Sequence, residues 1–187
     1  MYDLSAANQS KITAELKPGE SVSWSDQPDP SAYAKGSIIT TLFFIPFTAF
    51  ALFWMASAAD FKIPDLSKGG GSLFPLFGLP FLLVGLWGFF QPFRMKKNAA
   101  SVIYVITNKR VIIIQGNRSI SYQSFYPDQL KNIARTQNAD NMGNVYFSNE
   151  SYTDSDGNSS MKKIGFVGIA NVQHVEQLIR KLAGEQT

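Results

Sequence analysis

Two uninterrupted apolar stretches constrain this chain more than anything else in it. Residues 36–59 hold no charged side chain in 24 positions, and residues 69–93 hold none in 25. At 1.5 Å rise per residue the first makes a helix of roughly 36 Å and residues 73–93 one of roughly 31 Å, against a hydrocarbon core of about 30 Å. Trp54 and Trp87 lie toward the ends of these stretches, where amphipathic rings prefer the membrane interface. A buried soluble hairpin is the competing reading. It fails on coverage, because the 94 residues that follow are too few to bury two Phe-studded helices. The sequence therefore predicts a membrane α-helical hairpin, with transmembrane helices over 36–59 and 73–93 and a linker over 60–72. Ala56-Ser57-Ala58 imitates a signal-peptidase site, but the apolar run before it is longer than a signal sequence has and starts 35 residues in.

Charge then sets the orientation. Residues 1–35 carry three lysines against five acids, the apolar block two against two, and residues 94–187 twelve basic residues against seven acids. The linker's charges cancel, whereas Arg94, Lys96 and Lys97 follow the second span at once, so the positive-inside bias places both termini in the cytoplasm. A +5 region that begins where an apolar segment ends reads an anionic membrane surface rather than a nucleic acid. Neither span contains an ionisable residue, and intramembrane ion or substrate paths are marked by such residues. Gly78, Gly85 and Gly88 suit close helix packing and self-association into a homo-oligomer, which outweighs a channel. A small subunit of a membrane channel or transporter complex is the alternative.

Much chemistry is excluded by composition. The chain has no Cys and one His, which removes disulfides, thiolate-ligated zinc, iron–sulfur clusters, a cysteine nucleophile and any His-pair metal site. No HExxH or GxGxxG motif occurs, and Gly69-Gly70-Gly71 lacks the Lys-Ser/Thr ending of a phosphate loop. Asp154-Ser-Asp-Gly157 lacks the twelfth-position Glu of a calcium loop and reads as a solvated turn. The sequons at Asn117, Asn149 and Asn158 carry no meaning on a cytoplasmic face. Neither catalysis nor a cofactor nor a metal is expected.

Past the spans the period changes to two. Ser101–Ile106 and Arg110–Ile114 flank Thr107-Asn108-Lys109 as a hairpin, and further strands are expected at Ser119–Phe125, Leu130–Thr136, Asn144–Phe147 and Lys163–Val167. A C-terminal helix over 171–183 places Val172, Val175, Leu178, Ile179 and Leu182 on one face, with Asn171 as N-cap and Gly184 as stop. The N-terminal arm, residues 1–35, adds a seventh strand at 20–25, where Val22 and Trp24 alternate with serines and Trp24 is expected to be buried. The three expected regions are thus the arm, the hairpin at 36–93 and a mainly β domain at 94–187.

Seven strands and one C-terminal helix is the pleckstrin-homology (PH) arrangement. Leu16-Lys-Pro-Gly-Glu-Ser-Val-Ser-Trp-Ser-Asp-Gln-Pro28 resembles the opening of bacterial membrane proteins with a PH-like domain, and Tyr104-Val-Ile-Thr-Asn-Lys-Arg110 is similar to a motif of the same domain. The resemblance implies a bacterial inner-membrane location and a PH-like fold of antiparallel strands. Most such families have no assigned activity, so the function expected is binding or scaffolding: recruitment of an unknown membrane or cytoplasmic protein partner, or sensing of the anionic inner leaflet. The candidate surface is Arg94, Lys96, Lys97, Lys109 and Arg110. For the first three the competing role is topology alone, and for Arg110 it is pairing inside the fold.

Overall fold

The computed structural model describes residues 4–62, 70–116, 119–154, 157 and 159–184. In chain order the elements are α1 (Ala6–Glu15), β1 (Val22–Asp26), α2 (Pro30–Ala34), α3 (Ser37–Ala58), a 3-10 turn over Gly70–Gly78, α4 (Leu79–Phe89) and α5 (Gln91–Ala99). There follow β2 (Val102–Thr107), β3 (Val111–Gln115), β4 (Ser121–Phe125), a 3-10 turn over Pro127–Gln129, β5 (Ala134–Gln137), β6 (Met142–Thr153), β7 (Ser159–Ala170) and α6 (Val172–Ala183). The chain divides into two units, Met1–Tyr33 with Lys96–Thr187, and Ala34–Met95.

The first unit is built on β-branched runs, whose stiff χ1 suits a pleated surface. One antiparallel sheet has the order β1-β2-β3-β4, and a second has the order β5-β6-β7. Tyr104 on β2 lies between Asp26 of β1 and Ile113 of β3, a register that turns Trp24, Val102, Tyr104, Ile106, Val111 and Ile113 toward one core. Phe147 and Phe166 enter the same core from the second sheet with no exposure, and α6 adds Val172, Val175 and Ile179. Trp24 stacks on Phe166 at 5.5 Å and Tyr104 on Phe166 at 4.5 Å, so the arm and the C-terminal region share one interior. Seven strands and a closing helix match the count the PH resemblance implies, and they form one sheet of four and one of three.

Alternation alone predicts one wet face for β2 and β3. Instead Ile103, Val105, Ile112 and Ile114 are also buried, because Ile12 of α1, with Leu4 and Leu16, lies across the outer face of the sheet. Neither α1 nor α2 is evident in the sequence pattern. Asp29 starts α2 by accepting from the Ser31 and Ala32 amides, and the Asp29 amide donates to the Gly168 carbonyl at 2.7 Å. Gly168, at φ +70, is required there: a Cβ would meet the Tyr33 amide nitrogen and the Asp29 carbonyl.

Three expectations for this unit are corrected. Leu130–Thr136 is not one strand: Leu130 and Ile133 are buried, but Asn132 at φ 56 breaks the run and the strand is Ala134–Gln137. The strands foreseen at Asn144–Phe147 and Lys163–Val167 lie within two 12-residue strands, whose Ser148-Asn-Glu-Ser151 and Ser159-Ser160 stretches carry no apolar signal. Asn171 precedes α6 in a left-handed conformation and makes no side-chain cap, whereas Gly184 does end the helix at φ 80. Residues 155, 156 and 158 of the expected tip, the sequon residues Asn117 and Arg118, and residues 63–69 of the linker lie outside the described residues.

The second unit is a helical hairpin. Two of its helices are long and apolar enough to cross a membrane, Ser37–Ala58 with 22 residues and Phe74–Ala99 with 26. The glycines meet large partners across the seam: Gly78 faces Met55, Gly85 faces Thr48 and Gly88 faces the Phe44 ring, each too closely for a Cβ. Thr41 and Thr48 donate to the carbonyls four residues back. The second span differs from expectation at both ends. It opens as a 3-10 turn around Pro75, and beyond the apolar run the chain stays helical through Arg94, Lys96 and Lys97, after a one-residue break at Phe90 ahead of Pro92.

Candidate functional site

The two motifs that carried the resemblance meet in space. Arg110, 3% exposed, donates from Nε to Glu20 Oε1 at 2.9 Å and from Nη2 to Glu20 Oε2 at 3.1 Å, a bidentate pair. Its remaining donors reach Glu15 Oε1 at 3.1 Å, Ser124 Oγ at 2.7 Å and the Glu15 carbonyl at 2.8 Å. Thr107 Oγ1 accepts from the Lys109 and Arg110 amides and lies 2.8 Å from Glu20 Oε1. The Arg110 guanidinium holds the Glu20 carboxyl at about 2, well below its ordinary 4.5, and Glu20 raises Arg110 in return. Asn108 does not take positive φ. It instead accepts from the Ser21 amide at 3.0 Å and donates to the Gly19 carbonyl. Gly19 at φ +71 makes that turn, and Lys109 Nζ donates to the Pro18 carbonyl at 3.1 Å.

This geometry sorts the five candidate residues. Arg110 is spent inside the fold, on two carboxylates that sequence reasoning never paired with it. Lys109 is exposed but tied to the arm. Arg94, Lys96 and Lys97 lie together on α5, with Lys96 and Lys97 exposed. Arg94 stacks over the Trp87 ring at 4.3 Å and donates to the Trp87 carbonyl at 3.0 Å.

A second basic feature was not legible in the sequence. A cleft of about 170 Å³ opens between the sheets, floored by Val102, Tyr104 and Ile113, with Tyr33, Gln115, Gln123, Lys162 and Lys163 among its walls. Tyr33 is the last residue of this unit before the hairpin. Burial raises the Tyr33 hydroxyl above its ordinary value, so it stays protonated and able to donate. Among the described residues, no acidic side chain lines the cleft. Glu150 pairs across from Lys162 on β6, and Lys163 Nζ lies 5.8 Å from the centre of the Tyr146 ring.

Among the described residues, no group of three or more His, Cys, Asp or Glu side chains is placed to hold a metal ion. His174 lines a separate polar cleft with Gln137, Asn141, Asn171, Gln173 and Gln177.

No protein-family model matches the chain, and no curated protein is similar to it. Among solved structures, a pleckstrin homology domain from Shewanella amazonensis aligns at 15% identity over 44% of this chain and 75% of that one, with a TM-score of 0.27. A likeness of that size carries no argument, and the β unit stands on its own geometry as two antiparallel sheets with a closing helix.

Proposed function

We propose that the chain is a membrane-anchored PH-like binding or scaffold protein of the bacterial inner membrane, with both termini cytoplasmic, that performs no catalysis. The hairpin spans the bilayer and the seven-stranded unit works at its inner surface. There Arg94, Lys96 and Lys97 attract anionic lipid without regard to headgroup, at about 1 kcal/mol per basic residue, and the β unit recruits a protein partner. One observation carries this reading: the hairpin turns many large apolar side chains outward, with Ile39 81%, Phe43 67% and Phe53 62% exposed, a surface suited to lipid.

The test is accessibility, which the absence of native cysteine makes simple. A Lys62→Cys variant should react with an impermeant thiol reagent in intact cells and a Ser159→Cys variant should react only after lysis. The reverse pattern, or equal labelling of both, overturns the topology. Crosslinking in native membranes, with and without the β unit, then identifies the partner.

A further inference from the structure

We propose that the free edge of β4 is a pairing surface for a second copy of this chain, the two strands running antiparallel about a two-fold axis at Gln123. The edge strands of the two sheets are β1, β4, β5 and β7. Unpaired edges invite other strands, and proteins block them with charge, bulges or cover. β1 carries Asp26 and a bulge between Val22 and Trp24. β5 is four residues long, and its Arg135 pairs with Glu176 of α6 at 3.2 Å. β7 carries Lys162 and Lys163, and its Gly168 carbonyl already accepts from the Asp29 amide. β4 has none of these guards: no charged residue lies from Ser119 to Pro127, and its register with β3 is unbroken.

Hydrogen-bond parity decides which groups face outward. Facing residues of an antiparallel pair alternate between exchanging two bonds and exchanging none. The Thr107 amide donates to the Arg110 carbonyl and the Gly116 amide to the Ser101 carbonyl, so β2 bonds the even-numbered residues of β3. The odd-numbered ones, Val111, Ile113 and Gln115, therefore bond Phe125, Gln123 and Ser121 of β4. That leaves the amides and carbonyls of Tyr122 and Ser124 pointing away from the sheet, with no main-chain partner among the described residues. The open edge stops at Tyr126, whose amide donates to Gln129 Oε1 at 3.0 Å and whose carbonyl accepts from the Gln129 amide at 2.9 Å.

Charge and side-chain matching commit the edge to a second copy. Residues 94–187 carry twelve basic residues against seven acids, so two copies repel unless they meet at a neutral surface, and β4 is neutral. With Gln123 on the axis, Tyr122 faces the partner's Ser124, and symmetry repeats the pair, so the free amides and carbonyls satisfy one another. The same register brings Ile120 to the partner's Tyr126, an aromatic and β-branched pair of the kind that stabilises sheets, and both are exposed in one copy. Tyr122, 40% exposed and paired with Ile114, extends the apolar outer face of the sheet toward the partner. The hairpin glycines expected to support self-association are already engaged: Gly78, Gly85 and Gly88 close against Met55, Thr48 and Phe44 of the same chain. None of this depends on the hairpin crossing a membrane.

The experiment uses the full chain in a neutral detergent, with its mass read by sedimentation equilibrium. Wild type should be dimeric in the micromolar range. Tyr122→Lys puts a charge on the neutral edge of each copy and should weaken the dimer at least about tenfold with an unchanged thermal midpoint. Register is read by oxidation, since the chain has no native cysteine. On the axis two Cα atoms approach to about 4.5 Å, within disulfide reach, so Gln123→Cys should give a covalent dimer under mild oxidant. Ser121→Cys lies four residues out of register with its own copy, about 13 Å away, and should not crosslink. A wild type still monomeric at about 100 μM, a dimer untouched by Tyr122→Lys, or a Gln123→Cys that crosslinks no better than Ser121→Cys overturns the proposal. Because these measurements use micelles, their failure is separable from a failed topology, which the cysteine labelling reads in cells.

Discussion

The β unit and the hairpin spend the same side chains in opposite ways. In the β unit Phe147 and Phe166 have no exposed surface and Trp24 only 8%, whereas in the hairpin Phe43, Phe53 and Trp87 are 67%, 62% and 62% exposed. Water drives the first arrangement and disfavours the second. If the proposed membrane anchoring holds, hydrophobicity here describes two solvents: one region folds against itself, and the other leaves an apolar surface for a bilayer to complete. Charge follows the same division. The most buried guanidinium, Arg110, is bound to two carboxylates in the β unit, and the hairpin carries Arg94 at its end, packed on an aromatic face.

The largest expected effect is at Arg110. Arg110→Met leaves Glu20, whose side chain is fully buried, without its cation, and removing one member of a buried pair typically costs about 3 to 5 kcal/mol. Denaturant unfolding of the β unit should show that loss, and Glu20→Gln/Arg110→Met should recover part of it. A single variant as stable as wild type would mean that the ion pair contributes nothing and that the arm is held by packing alone. Trp24→Ala should cost slightly less, about 3 kcal/mol, since the ring stacks on Phe166 and truncation leaves a cavity. Trp87→Ala in the hairpin should leave β-unit stability unchanged, and equal losses at both positions would erase the contrast between the regions.

Acid should loosen the arm by a smaller amount. Glu20 has a depressed value in the folded chain, about 2 against 4.5, so the stability it contributes is present in full above roughly pH 5 and is lost as pH falls toward 2. Limited proteolysis at the arm between pH 6 and pH 3 should show increasing cleavage in wild type. In Glu20→Gln the same dependence should be flatter, and an unchanged slope would assign the acid sensitivity to another carboxylate.

How much of this was legible in the sequence depended on which signal each residue sends. The two long apolar helices were legible because freedom from charge over more than 20 residues has few explanations. Trp24 and Val22 alternated clearly enough to reveal β1, and the hydrophobic face of α6 was complete. By contrast α1 buries Ile12 alone, so it has no periodic stripe to read. The pairing of Glu20 with Arg110 joins residues 90 apart, and nothing local in either motif states that the other exists. Lys162 and Lys163 looked like any solvated pair on a strand; only the approach of Tyr33, Gln115 and Gln123 from other elements makes them the wall of a cleft.

Packing within the hairpin gives the next effect down. Gly88→Val would force a branched side chain into the Phe44 ring, and overpacking of this kind typically costs about 1 to 3 kcal/mol. The loss should appear in the hairpin's resistance to harsh detergent while β-unit unfolding stays as it was. A matching change in both would show the units to be energetically coupled.

The smallest effect, and the sharpest test of the two-solvent comparison, is expected at Phe53. It is 62% exposed on α3, so its ring meets lipid rather than protein if the hairpin spans the bilayer. Lipid tails are as apolar as leucine, and Phe53→Leu exchanges one lipid-facing group for another with no cavity inside the protein. Detergent-resistance midpoints should therefore shift by less than about 0.5 kcal/mol, the range of ordinary surface substitutions. Phe53→Asp places a charge on the same face, which costs about 2.5 to 3.5 kcal/mol at a helix centre and less toward the end where this residue lies. The contrast should appear as reduced membrane insertion in cells, read from the fraction of chain extracted by carbonate. If Phe53→Asp inserts as well as Phe53→Leu, the outward face of α3 does not meet lipid, and the hairpin's exposed phenylalanines must be covered by protein instead.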